Sequence, residues 1–145
     1  MEYEMKQSEI TEQYRIILGE LWRNRDLETI LYIRLLMETG FRPKEVYAIR
    51  PEHIIHKKVC LPLQYQKCYS DVKEFVKCPE ISHRTRMIAE IISQKQGRYF
   101  TKSQRYYLRK IKRYRTDKRF SVFELRNLRK KIQWWIYMER NASVC

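Results

Sequence analysis

Apolar residues recur at helical spacing through the first forty positions. Ile10, Tyr14, Ile17, Leu18, Leu21 and Trp22 mark one face of a helix over 8–23, with Ser8 placed to cap it. Asn24-Arg25 forms a short break. Asp26 then caps a second helix, in which Leu27, Ile30, Leu31, Ile33, Leu35, Leu36 and Met37 run almost without interruption. That is the pattern of a helix buried on most sides. Gly40 is placed as its C-terminal stop, and Pro43 opens a third, short helix over about 43–49 that Pro51 ends.

The period changes after Pro51. Val59-Cys60-Leu61-Pro62-Leu63 and Glu74-Phe75-Val76-Lys77-Cys78-Pro79 are short apolar or alternating runs around a polar segment, Gln64 to Lys73. They predict a β-hairpin, with a third short strand near 53–57, and Pro62 marks an edge strand. Helical spacing resumes over 82–95 with Met87, Ile88, Ile91 and Ile92, and stops at Gly97. Tyr99-Phe100 forms an apolar plug. Ser103 caps a helix to about Arg115 that carries Tyr107, Leu108, Ile111 and Tyr114 on one side. Ser121 with Glu124 three positions on reads as a capping box for a helix from about 122 to 139. The expected fold is α+β and mainly α-helical, with a small antiparallel hairpin or three-stranded sheet, in one domain over 1–145.

Charge sharpens this picture. Lys and Arg number 31 against 17 Asp and Glu, a formal net charge of +14, which points to a polyanionic partner. No apolar run approaches the ~20 residues of a spanning helix, and Met1-Glu2-Tyr3-Glu4 does not open a signal peptide, so a cytoplasmic protein without membrane contact is expected. Cys60, Cys68, Cys78 and Cys145 lack the close spacing of a zinc site. His53, His56 and Cys60 could gather round a metal, but separate reduced thiols are the simpler reading, and no metal or cofactor is expected.

The basic residues concentrate in one stretch. Nine Lys and Arg lie from Lys102 to Arg119 against a single acid, Asp117. Arg105, Arg109, Lys110, Lys112, Arg113, Arg115, Lys118 and Arg119 are candidate phosphate contacts, with Arg129 and Lys130 beyond them. A solvated face is the alternative, but like charges at such density repel without a counter-anion. Tyr106 could stack on a base or be half-buried packing. Elsewhere, Thr39-Gly40-Phe41-Arg42-Pro43-Lys44-Glu45 sets Arg42 at a tight helix junction, beside the N-terminal end of the next helix. Phe123-Glu124-Leu125-Arg126 sets Arg126 in the first turns of another helix. Lys67 lies in the polar segment between the expected strands.

Taken in order, these elements resemble the catalytic domain of the tyrosine recombinases, or phage integrases, over nearly the whole chain. Thr39-Gly40-Phe41-Arg42-Pro43-Lys44-Glu45 resembles that family's first arginine motif. The resemblance implies that Arg42 clamps the scissile phosphate and that Glu45 is a buried orienting carboxylate. It makes Lys67 the hairpin general acid, with Lys73 and Lys77 as alternative matches, and Arg126 the second phosphate clamp. Arg98-Tyr99-Phe100-Thr101 is similar to the segment before the family's basic helix.

Two departures bear on the chemistry. Phe123 stands where the family has histidine, and phenylalanine neither hydrogen-bonds a phosphate nor moves a proton. No tyrosine after Arg126 has the placement of the nucleophile, and Tyr137, behind Trp134 and Trp135, reads as packing. The family's amino-terminal core-binding domain is not found either. The expectation is therefore a recombinase-like domain without its nucleophile segment: a remnant, a truncated recombinase, or a chain served by another chain's tyrosine. Double-stranded DNA is the expected partner, with a second copy or a second recombinase chain beside it, in a virus or plasmid setting. The competing classes are a non-enzymatic regulator or architectural DNA-binding protein, an RNA-binding or protein-interaction module using Trp134-Trp135, and a generic basic helical domain.

Overall fold

The computed structural model describes residues 5–62 and 78–128. Helix α2 (Leu27–Thr39) is its axis, and every residue from Thr29 to Thr39 is buried. Around it pack α1 (Gln7–Arg23), α3 (Pro43–Tyr47), α4 (His83–Gln96) and α5 (Gln104–Tyr114). A further helix, α6, is described over 122–128 and contributes Leu125 and Leu128 to the core. The nearly continuous apolar run of α2 is thus explained: a helix surrounded by neighbours has no face left for water.

Local signals set most boundaries. Asp26 accepts from the Thr29 N–H at 3.3 Å and its hydroxyl at 2.7 Å, capping α2 as expected. Gly40 stops α2 with φ 72°, a left-handed conformation that costs glycine nothing. Ser82 and Ser103 cap α4 and α5 by accepting from Thr85 N–H and Tyr106 N–H. Ser8 is a correction. It lies inside α1, whose first residue follows Lys6, and Glu9 accepts from the Lys6 N–H at 2.7 Å. The same returning bond recurs at Arg42, from Glu45, and at Arg50, where His53 Nδ1 accepts at 3.0 Å. Lys and Arg have no side-chain acceptor, so only this half of a capping box forms.

Among the described residues the sheet has two strands. Strand β1 (Ile54–Ile55), the expected third strand, pairs antiparallel with β2 (Lys58–Val59) across a two-residue turn where His56 takes φ 58°. On the other edge of β2, Lys58 makes an isolated bridge to Glu80. Val59 donates to Pro79 O at 2.9 Å, and proline has no N–H to return, so this pair is held by a single bond. Most of the expected strand 74–79 lies outside the described residues, as do the end of the last helix and Trp134, Trp135 and Tyr137.

A buried polar network locks α2 to α4. Arg34 and Glu38, one turn apart on α2, pair at 3.3 Å with side chains 6% and 0% exposed. Arg34 Nε donates to Thr85 Oγ1 at 2.7 Å, and Thr85 in turn donates to Glu38 at 2.6 Å. Ser82 N–H donates to Glu38 at 2.7 Å. Every charge in it has a partner, which is what makes burial of an ion pair tolerable.

Candidate functional site

The turn between α2 and α3 is built residue by residue. Thr39 Oγ1 donates to Leu35 O and accepts from the Phe41 N–H at 3.0 Å. Phe41 is buried and anchors the turn in the core. Gly40 reverses the chain, and Arg42 follows in extended conformation as the N-cap of α3. The Glu45 carboxylate accepts from the Arg42 N–H at 2.7 Å, so Glu45 orients the backbone that carries Arg42. Glu45 is half-buried and not the fully buried carboxylate expected. Tyr32 donates to Pro43 O at 3.0 Å and ties the start of α3 to the middle of α2.

Arg126 arrives at this turn from α6. Its Nε–H donates to Gly40 O at 3.0 Å across 86 positions of sequence. Burial holds the Arg126 guanidinium below its ordinary pKa, and the positive charge of Arg42 lowers it further, against the opposing pull of Glu45. Two arginines distant in the chain are therefore electrostatic neighbours at one turn. The bond to Gly40 uses one of five guanidinium donors, and the terminal fork is the part shaped for two oxygens of one anion. At five residues α3 carries little aligned dipole, so the positive character of the turn comes from the side chains. Phe123 lies three positions before Arg126, on the same helix face, and is 66% exposed.

Helix α5 is anchored beside this turn by aromatic rings. Tyr107 stacks on Tyr32 at 5.0 Å and Tyr47 on Phe100 at 6.0 Å. Tyr47 donates to Lys102 O at 2.7 Å. Glu28 accepts from Tyr107 Oη, the Thr101 N–H and hydroxyl, and Gln96. Burial would raise its pKa, but these bonds outweigh it and hold Glu28 below the ordinary carboxylate value. The same burial, with Glu28 as acceptor, raises the Tyr107 hydroxyl.

The basic residues of this region divide into two sets. Arg105, Arg109, Lys112 and Arg113 are exposed, and at 100° per residue they fall in one arc opposite the buried Tyr107 and Ile111. Lys110, Arg115 and Arg119 are engaged within the molecule. Lys110 lies 3.9 Å from Asp26 and over the Tyr106 ring at 4.9 Å. Arg115 Nη1 donates to Phe120 O at 2.7 Å. Arg119 pairs with Asp117 at 2.7 Å and Glu9 at 2.9 Å. Lys118 is exposed. Tyr106 is half-buried and donates to Asp26 at 3.3 Å. Lys67, Lys73, Lys77, Arg129 and Lys130 lie outside the described residues.

Sequence reasoning missed the Gly40 carbonyl as the seat of Arg126, and it missed Glu28 as the hub beneath α5. A backbone acceptor leaves no mark in sequence. Glu28 had a faint one, an acid just past a cap in an otherwise apolar helix. Comparison of the chain with protein-family models, with curated proteins and with solved structures finds no match in any of the three.

Proposed function

We propose that this protein is an integrase-like DNA-binding protein. It grips the phosphate backbone of duplex DNA with Arg42 and Arg126 and does not by itself cleave and rejoin strands. The observation that carries the reading is the Arg126 Nε–H bond to Gly40 O, which seats its guanidinium on the turn that leads into Arg42. Two like charges drawn together and partly desolvated are costly alone, and an anion bridging them relieves the cost. A phosphodiester offers two non-bridging oxygens to such a pair. The exposed arc of Arg105, Arg109, Lys112 and Arg113 adds sequence-independent contacts further along the backbone. Phe123, on the same face as Arg126, supplies no proton donor where the resemblance calls for histidine, which supports binding without chemistry.

The test is fluorescence anisotropy on a labelled duplex. Arg42→Ala and Arg126→Ala should each weaken binding by ~1–3 kcal/mol, the value of a charge-assisted contact. Unchanged binding by the double variant would sink the proposal. A suicide DNA substrate should trap no covalent complex; trapped protein would restore the enzyme reading. Preference for an A-form duplex would move the partner to RNA.

A further inference from the structure

Two of the four cysteines are brought face to face by the strand register. Lys58 bridges Glu80, with Val59 N–H donating to Pro79 O and Ile81 N–H to Lys57 O on either side. That makes Lys58 and Glu80 a non-hydrogen-bonded pair. Pairs alternate along an antiparallel ladder, so the same register carried two residues on sets Cys60 opposite Cys78. Such pairs bring Cα atoms to about 4.5 Å, within the span of about 4.4–6.8 Å that a disulfide bridges.

The faces agree. Val59, Leu61 and Ile81 are fully buried, so the alternate residues Lys58, Cys60, Cys78 and Glu80 share the opposite face. Both cysteines are free and half-buried, within reach of a small oxidant. Burial, and then a hydrogen bond with Cys60, push the Cys78 thiol up to about 11. Cys78 therefore holds its proton at neutral pH.

We propose that Cys60 and Cys78 are a reversible oxidative modification site, closed to a disulfide by exchange with a small-molecule disulfide such as oxidised glutathione. The Cys60 thiolate attacks one glutathione sulfur, the glutathione S–S bond breaks, and one glutathione leaves and takes up a proton. Cys78 then releases its proton to solvent and attacks Cys60 Sγ. The Cys60–Cys78 bond forms as the second glutathione leaves. Two cysteine thiols are oxidised and one glutathione disulfide is reduced to two thiols. The bridge closes a ring of chain that contains Lys67.

The test uses the full chain, equilibrated anaerobically at graded ratios of reduced to oxidised glutathione, alkylated and mapped by peptide mass. The expected product is a Cys60–Cys78 linked peptide lighter by two hydrogens. It should exceed any bridge to Cys68 or Cys145 about tenfold, because the sheet supplies a high effective concentration. Cys68→Ser should leave its yield unchanged. Cys60→Ser should confine Cys78 to mixed disulfides with glutathione. Cys60 and Cys78 staying reduced, stopping as mixed disulfides in the unaltered chain, or bridging mainly to Cys68 would each overturn the proposal.

Discussion

Arg34 and Arg42 stand eight positions apart and have opposite fates. Arg34 is buried, matched by the Glu38 carboxylate and two hydroxyls, and its charge is consumed inside the fold. At the α2–α3 turn, Arg42 acts instead on another arginine, Arg126, with one carboxylate, Glu45, opposing it. One arrangement is closed by a carboxylate and hydroxyls, and in the other two arginines act on one another. Residue type alone does not separate a structural arginine from one suited to an anion. The balance of charge brought to it by folding does.

The largest effect should come from opening the closed arrangement. Glu38→Ala leaves the Arg34 guanidinium buried and uncompensated, and should lower unfolding free energy by about 3–5 kcal/mol in urea denaturation. Loss of under 1 kcal/mol would mean that water or Thr85 suffices for Arg34, and the contrast would collapse. The same variant, where still folded, should keep wild-type DNA affinity.

The turn should respond the other way round. Arg42→Ala and Arg126→Ala should each cost ~1–3 kcal/mol of DNA binding while the urea midpoint holds or, for Arg42→Ala, rises as the repulsion is relieved. A fall in stability matching the loss in affinity would make the turn arginines structural, like Arg34.

Salt dependence sharpens the division within the basic stretch. Replacing Arg105, Arg109 and Lys112 with alanine should flatten the slope of log affinity against log salt by about 0.9 for each phosphate contact removed. Arg115→Ala and Arg119→Ala should leave that slope in place, since Arg115 is bonded to Phe120 O and Arg119 to Asp117 and Glu9. An equal change from both sets would show that the internal pairs open on binding.

The smallest effect concerns Glu28 beneath α5. Its folded pKa lies below the ordinary 4.5, so its hydrogen bonds contribute stability in full above that value. The contribution is lost as pH falls through the lowered folded pKa. Acid unfolding of the wild type should therefore be steeper below pH 4.5 than that of Glu28→Gln. Superimposable curves would remove Glu28 from the set of groups that tie α5 to the core.

Much of the helical framework was legible because its signals are local. Asp26, Gly40, Gly97 and Ser103 act within four residues of themselves, and each stands where its helix starts or stops. Ser8 misled because Glu9, next to it, satisfies the preceding N–H instead. The strands were less legible. Their pairing depends on which segment returns beside β2, and Pro79 returns no bond to Val59. Of the candidate site, the turn around Arg42 was readable, whereas the half-burial of Glu45 and the internal pairing of Lys110, Arg115 and Arg119 were not. Those facts depend on partners such as Asp26, Phe120 and Glu9, none of which lies within the same helix.

By itself, the chain's order of residues determined where most of the described helices begin or stop, that α2 would be surrounded, and that the chain would carry a large positive charge. Caps, glycine stops and apolar spacing are short-range causes, and they survive without tertiary contacts. Only the folded arrangement decided which of those charges are neutralised within the protein. It also seated Arg126 on the Gly40 carbonyl beside Arg42 and set Cys60 opposite Cys78. Electrostatic balance and strand register are properties of neighbours in space, and no local pattern encodes which distant segment the neighbour will be.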